Sequence, residues 1–512
     1  MSITPQAFHV HLQHLSAAEK YLIAYSGGVD SHVLLHLCAQ LKNAPSGFKQ
    51  SFSAVYIDHG LNAQAQKWGQ HCQQICYELD IPLTIVAVDG RAKNGQSPEA
   101  AARTARYNAF AQLLTTDECL LIAQHLADQA ETLLLQLLRG SGTKGLAAMP
   151  RIKPFAKGFL CRPILDYTQQ DILNYARQHQ LHWVEDDSNA EERFDRNYLR
   201  HSILPLLEKR WPAAQENIAK SAEVLAESQF LLEKMANADL HDLVFINKHG
   251  FAEQDKLLLA PILALFTMPV EQVIHCHHHE LARVHNVLRF WIQSNHLPLP
   301  SKKILEQIIQ SVLLAREDAM PIVTWQRDGC GCEVRKYQNI LYLLKVPDGV
   351  GLQKTTSQVY ASFQATLLEK NVLKLPNDIG TLILDIPKPS LQQVVPYDRE
   401  KLLSKPLSIK FRSGGERYRR HPNEHSHSLK HWFQEQAIPP WQRAMMPLIF
   451  WGDELLQIGN FVLNHSLDTY AVNQPMKQHN GVVDDFLSYN VDDSLFPNSA
   501  NSLIIYWQRE NN

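Results

Sequence analysis

Short apolar runs alternate with amphipathic stretches along the first part of the chain. Tyr21–Tyr25 is an apolar run that enters a glycine-rich turn, and Val33–Leu41 after it has helical spacing. Phe52–Ile57 is a second such run, followed by the polar-apolar mixture Asn62–Leu79. Leu83–Val88 and Cys119–Ala123 read as two further strands, and Glu99–Leu114 and Asp128–Leu138 as two further helices. Strands written as continuous apolar runs are covered on both faces. Their alternation with helices predicts parallel βαβ units in a doubly wound sheet.

The pattern then breaks at Gly140-Ser141-Gly142 and Gly145, with Pro150 and Pro154 close behind, which predicts a loop leaving the sheet. Asp166–His179 and Asn197–Leu207 have helical spacing. Long amphipathic patterns, including Ala222–Ala236 and Lys303–Leu314, dominate from about 215 to 316, and Val323–Val346 turns β-rich. After the proline-punctuated stretch Ile383–Pro396, a new module begins near Lys405. The tail beyond Tyr470 is polar until the strand-like Leu503–Trp507. The expected fold class is α/β: a doubly wound N-terminal domain, then a helical domain and an α+β C-terminal domain. The expected divisions are 1–215 for the catalytic α/β domain, 216–345 for a mainly helical substrate-binding domain and 346–400 for a linker or β-rich region. A basic module at 401–470 and a polar tail at 471–512 follow.

Composition excludes several classes. A chain of 512 residues exceeds one core. With 45% hydrophobic and 20% charged residues it is neither disordered nor fibrous. No apolar run is long enough for a membrane span, and the first residues, MSITPQAFHVHLQHL, lack a secretory pattern, so the expectation is a cytoplasmic protein without membrane contact. Eight scattered cysteines fit reduced thiols. A net charge of −3 gives no overall nucleic-acid footprint. Locally the balance differs: Lys405 to Arg443 holds eight Lys/Arg against three Glu, with four histidines.

The chemistry concentrates at Ser26-Gly27-Gly28-Val29-Asp30-Ser31, between a buried strand and a helix. Consecutive glycines let the backbone turn and approach a ligand, and the following helix begins with unpaired N–H groups and a positive dipole end. Ser26 and Ser31 add hydroxyls. Asp30 would repel a bare phosphate, so its natural part is to hold a magnesium ion that bridges phosphates. The alternative is a turn that uses glycine for geometry alone. The loop lacks both a Walker lysine and a Rossmann Gly-x-Gly-x-x-Gly. Its six residues resemble the loop of the N-type ATP pyrophosphatases (PP-loop superfamily), which cleave ATP between the α- and β-phosphates and adenylate an oxygen that a nucleophile then frees.

Four further segments resemble bacterial tRNA(Ile)-lysidine synthases. In Tyr56–Leu61, His59 stands at a strand end where it can face the nucleotide. In Glu99–Tyr107, Arg103 and Arg106 share a helical face suited to phosphate or AMP. In Gln124–Met149, His125 and Asp128 follow the fourth strand, Asp128 and Glu131 lie one turn apart, and Arg139 and Lys144 suit phosphate or RNA. In Asp187–Pro205, the residues Asn189, Arg196 and Arg200 offer contacts toward lysine or a nucleobase. The basic module, with Arg412, Arg417 and Lys430 beside Tyr418, Trp432 and Trp441, is similar to that family's C-terminal domain and suits phosphate contact with base stacking. Gln124 and Ala127 depart from the family pattern, where a histidine and an aspartate stand, and Asp58 replaces a histidine of some members.

The resemblance implies ATP and magnesium, free L-lysine, and tRNA(Ile) with a CAU anticodon. The C2 oxygen of the wobble cytidine attacks the α-phosphate, and lysine displaces AMP to give lysidine. It implies Asp30, His125, Asp128 and Arg106 as catalytic residues, with Asp30 and Asp128 as the metal side. Ser26–Ser31, His59 and Arg103 would hold the nucleotide. Arg139, Lys144, Asn189, Arg196, Arg200, Arg412, Arg417 and Lys430 would serve tRNA or lysine. Oligomeric state is open, a homodimer being compatible. Rival readings are a tRNA 2-thiolation enzyme with the same ATP site, a glutamine-dependent amidotransferase and a non-enzymatic RNA-binding protein. The histidines at 275, 277–279 and 285 and the cysteine pairs Cys72/Cys76 and Cys330/Cys332 are read as structural.

Overall fold

A computed structural model describes residues 3–16, 18–44, 50–60, 64–91, 98–185, 193–246, 252–266, 280–316, 319–327, 329–346, 372–375, 380–385, 397–419, 425–463 and 502–508. The chain divides into two compact units, Met1–Met235 and Ala236–Asn512.

In the first unit, α1 (Pro5–Leu15) precedes β1 (Lys20–Ala24), α2 (Val29–Lys42), β2 (Ser51–Asp58), α3 (Ala65–Glu78), β3 (Leu83–Ala87), α4 (Pro98–Leu113) and β4 (Glu118–Leu121). Then come α5 (Leu126–Leu138), α6 (Thr143–Leu146), β5 (Ile152–Phe155), β6 (Gly158–Cys161) and α7 (Gln169–Gln178). The sheet order is β3-β2-β1-β4-β6-β5, with β5 antiparallel to β6 and the other neighbours parallel. The order reverses between β1 and β4, so the loops after these two strands open the crevice where open α/β sheets bind ligands. Helix α2 is buried from Ser31 to Ala39 because it is enclosed by β1 and β2 on one side and by α1 and α7 on the other. Two cores, one on each face of the sheet, hold these layers: one around Ile23, Leu34 and Phe8, the other around Leu22, Leu120 and Leu160.

The chain does not leave the sheet after Gly142 as its glycines and prolines predict. It returns as the β5–β6 hairpin. Gly158 makes this closure: a Cβ there would stand 2.0 Å from the Glu118 carbonyl oxygen, which only glycine avoids. Pro154 is tolerated because β5 is the sheet edge. After α7, α8 (Asp195–Tyr198), a π-helical turn (Leu199–Ile203) and α9 (Leu204–Arg210) follow one another without a break, and α10 (Ala214–His241) carries the chain into the second unit.

In the second unit, the region read as helical does supply the helices Glu280–Ser294 and Lys302–Ile308, with Trp291 fully buried. It also supplies a five-stranded antiparallel sheet of Val244–Ile246, Ala252–Leu258, Ile340–Val346, Cys330–Tyr337 and Ile322–Arg327, in that spatial order. Two four-stranded sheets follow. Ser502–Gln508 pairs with Thr381–Asp385 and Tyr397–Asp398, so the strand-like end of the polar tail is a working strand of one of them. Among the described residues, no helix is long and apolar enough to cross a membrane.

Candidate active site

The turn after β1 is tightly built. The Ser26 N–H and hydroxyl both meet Ser31 Oγ, at 3.2 and 3.1 Å, and Ser31 Oγ donates to the Gly28 carbonyl at 2.9 Å. Gly27 has φ +84°, and a Cβ there would lie 3.1 Å from the Cys72 sulfur. The Val184 N–H closes the turn onto the Gly27 carbonyl at 3.0 Å. Gly28 caps α2 without a side-chain bond, so the first N–H groups of Val29–Ser31 stay open at the positive end of a 14-residue helix. A polyanion fits this turn; a bulkier backbone would not.

Beside the loop, at the ends of β2 and β3, a cleft of about 460 Å³ is lined by His59, Gly60, Ala87, Val88, Asp89 and Arg91. His59 accepts from Arg106 through Nε2, at 3.2 Å from Nε and 2.9 Å from Nη2. Burial and the Arg106 charge push His59 down to about 4, so the ring is neutral and able to accept. Among the described residues its Nδ1 is buried without a hydrogen-bond partner, an atom that a donor group of a ligand would satisfy.

On the other side of the loop the site is filled with its own partners. His125 caps α5 in a capping box: its Nδ1 accepts from the Ala127 N–H at 3.3 Å, and Asp128 Oδ2 accepts from the His125 N–H at 3.0 Å. With Nδ1 accepting, the neutral ring carries its proton on Nε2, which faces Asp128 at 3.6 Å and Asp30 at 3.9 Å. Asp128 Oδ1 accepts from Arg196 at 2.9 Å and Arg200 at 3.1 Å. Glu131, fully buried, binds Arg196 at 2.7 Å and Arg200 at 2.6 and 3.0 Å. Two carboxylates thus face two guanidiniums. Burial alone would raise the Asp128 pKa, but His125, Arg196 and Arg200 outweigh it and hold the carboxylate below its usual range.

Asp30 behaves in the opposite way. Burial raises its pKa and the nearby Asp128 adds to this, against the pull of His125, Gln169 and Arg200. Its Oδ1 accepts from Gln169 at 3.2 Å, and its side chain is about a third exposed. A cation would relieve this disfavoured carboxylate, so the donor chemistry suits magnesium at Asp30. Asp128 already uses both oxygens.

Other residues singled out from the sequence fall as follows. Arg103 sits over the Tyr107 ring at 4.9 Å. Arg139 ends α5, exposed, and Lys144 reaches Glu233 at 3.7 Å. Asn189 lies outside the described residues. In the second unit Arg412 pairs with Glu416 at 3.7 Å, Arg417 is exposed and bonds Ser426, and Lys430 is exposed. The aromatics read as stacking platforms are different: Tyr418 and Trp432 are buried in a local core, and Trp441 packs edge-on against Tyr337 and Tyr342. Cys72 and Cys76 are buried, and burial pushes both thiols up to about 12, so neither is a nucleophilic thiolate. Cys276 and the histidines 275 and 277–279 lie outside the described residues, among which no metal-holding cluster occurs. Sequence reasoning missed Arg162, a buried arginine beside Gln124, and assigned Glu131 too small a part. Neither has a motif; both are defined by what they touch.

Three family models match the chain: a PP-loop domain over residues 4–207, a TilS substrate binding domain over 277–342 and a TilS substrate C-terminal domain over 407–475. The tRNA(Ile)-lysidine synthase of Coxiella burnetii is 39% identical over 90% of this chain and 93% of its own length. Those of Legionella pneumophila (strain Lens) and Serratia proteamaculans are 35% and 36% identical over 90% and 91% of this chain and 95% and 96% of theirs. With the loop geometry and this breadth of identity together, the chain belongs to the tRNA(Ile)-lysidine synthase family.

Proposed function

We propose that this chain joins L-lysine to C2 of the wobble cytidine of tRNA(Ile) bearing a CAU anticodon, in the cytoplasm, with cleavage of ATP to AMP and pyrophosphate. The observation that carries the reading is the arrangement on either side of Ser26–Ser31: an open cleft with an unsatisfied His59 Nδ1 on one side, and a charged network on the other. ATP lies with its β- and γ-phosphates on the loop and its nucleoside toward His59, with Arg106, which donates to His59, beside the nucleotide. The cytidine oxygen attacks the α-phosphate from the β4 side, pyrophosphate leaves, and the lysine ε-amine then displaces AMP at C2. Asp30 would hold magnesium, which would supply charge neutralisation on the phosphates. Arg200, the more exposed of the two arginines, takes the lysine carboxylate at the rim of the Asp128–Glu131 network. His125, with its proton on Nε2, stabilises negative charge that develops between Asp30 and Asp128. Arg139, Lys144, Arg412, Arg417 and Lys430 contact the tRNA backbone.

Radiolabelled pyrophosphate tests the first half-reaction. Exchange into ATP should require the tRNA and should fall at least about a hundredfold with Asp30→Ala. Exchange that proceeds without RNA, or survives that substitution, contradicts these roles. Sulfur transfer from a cysteine-derived donor would favour 2-thiolation instead.

A further inference from the structure

Four partly buried arginines among the described residues carry a counter-charge, whereas the two most buried, Arg162 and Arg443, do not. Arg196 and Arg200 have Asp128 and Glu131, Arg151 has Asp166 and Glu223, and Arg335 has Glu333. Arg443 instead lies over the rings of Phe433 and Tyr337. Arg162, at the end of β6, has neither. It is 3% exposed. Its Nε donates to Gln124 Oε1 at 2.5 Å and its Nη1 to the Pro150 carbonyl at 2.6 Å, and the hydroxyl of Tyr107 is its other neighbour. Among the described residues no carboxylate pairs with it.

Two more cations converge on the same place. Lys153 is opposite Leu160 in the β5–β6 ladder, and Leu160 is two residues before Arg162, so the three project on one face of the sheet. Tyr107 packs on Phe155, two residues beyond Lys153 on that face, at 5.9 Å between centroids. Arg103 donates to the Tyr107 hydroxyl at 3.3 Å. The three positive groups form a graded socket: Arg162 buried at the base, Lys153 half-buried on the wall and Arg103 exposed at the rim. Burial and mutual repulsion depress both Lys153 and Arg162. A buried charge without a counter-charge is costly, and like charges beside it add to the cost. An anion relieves all three at once.

The position selects which anion. The nucleotide cleft lies at the ends of β2 and β3, on the far side of β1 from β4 and β6. Gln124, which orients the Arg162 guanidinium, directly precedes His125, whose Nε2 faces Asp30 and Asp128. The socket is therefore on the side from which the acceptor base arrives, away from the nucleoside of ATP. We propose that Arg162, Lys153 and Arg103 bind a backbone phosphate of the RNA strand that carries the reacting base, with Gln124 as the positioning residue for Arg162. The inference rests on the function proposed above and adds an RNA contact to it. Gln124, a departure from the family pattern, acquires a purpose in this socket: its amide oxygen accepts from Arg162.

The test uses the full chain, tRNA(Ile) transcribed with CAU, and the variants Arg162→Lys and Lys153→Met. RNA binding is measured without ATP over a range of salt, and ATP binding without RNA by calorimetry. Each variant should weaken RNA binding about fivefold, and Lys153→Met should lower the slope of log K against log salt by about one. ATP affinity should stay within about twofold, which also reports an intact fold. Unchanged RNA affinity and slope in both variants overturn the socket. A loss confined to ATP affinity overturns it too, since the phosphate would then be the nucleotide's. A wild-type chain that binds the RNA and forms lysidine while the variants match it overturns the socket alone. A wild-type chain that does neither overturns the functional reading on which it rests.

Discussion

The two sides of the Ser26–Ser31 turn are built by opposite rules. Toward β2 and β3 the side chains are lightly tied: His59 and Arg106 hold one another, and among the described residues His59 Nδ1 has no partner. Toward β4 and α5 every carboxylate and guanidinium of the Asp128–Glu131–Arg196–Arg200 network is engaged. The open side can adapt to a ligand that brings its own hydrogen bonds. The closed side holds charges in fixed places before the substrate arrives, which is the condition for electrostatic catalysis without reorganisation. Asp30 stands at the boundary, shared between a saturated neighbour and an open turn.

This contrast is broken most severely at Glu131. Removing a fully buried carboxylate leaves two arginines without their partner, and Glu131→Ala should cost about 3–5 kcal/mol of stability, read from urea unfolding. A loss below about 1 kcal/mol would mean that the network is looser than the distances indicate.

Next in size is Asp30→Asn. Activity should drop by at least about two orders of magnitude, while the melting temperature holds or rises, because the charge removed is one that burial and Asp128 disfavour. A matched loss of activity and stability would make Asp30 structural. The raised pKa also predicts that cation affinity weakens, as pH falls, at a higher pH than an ordinary carboxylate would show.

The loop and the four parallel strands behind this contrast were readable from the chain, because buried strands and enclosed helices impose their own apolar spacing. What escaped is what tertiary contact decides. The β5–β6 hairpin is two four-residue strands containing Pro154 and Gly158, and only the approach of the Glu118 carbonyl shows why glycine stands there. Arg196 and Arg200 are recognisable as a helical pair, but not as reaching back across more than sixty residues to Glu131. Composition could not tell a stacking tryptophan from a core one, and Trp432 proved to be core. For Arg162 the informative feature is a missing carboxylate, which no sequence pattern reports.

A smaller effect concerns the support beneath the turn. His32 and His36 lie on α2, and burial pushes both from 6.5 down to about 4. His71, His182 and His179 face them, and Tyr175 bonds His36 at 2.9 Å. Their folded pKa lies below the unfolded value, so the unfolded chain takes up protons first and stability is lost as pH falls from 6.5 toward 4. At pH 5 the loss should be about 2 kcal/mol for each. His36→Gln should flatten that part of the pH–stability curve; an unaltered curve would mean that His36 takes up its proton as readily in the fold as in the unfolded chain.

The mildest change is on the open side. Arg106→Ala should weaken ATP binding about tenfold in calorimetry and leave thermal stability nearly unchanged, since its guanidinium donates to a neutral histidine rather than to a carboxylate. A large stability loss would show that the open side is as rigid as the closed one.

Lysidine formation itself is tested most directly by incubating the full chain with ATP, magnesium, radiolabelled L-lysine and tRNA(Ile) transcribed with a CAU anticodon. Label is expected in that RNA, with AMP released in equal amount, and none in a tRNA with methionine identity. RNA that stays unlabelled while AMP accumulates, or equal label in both tRNAs, would contradict the proposed reaction.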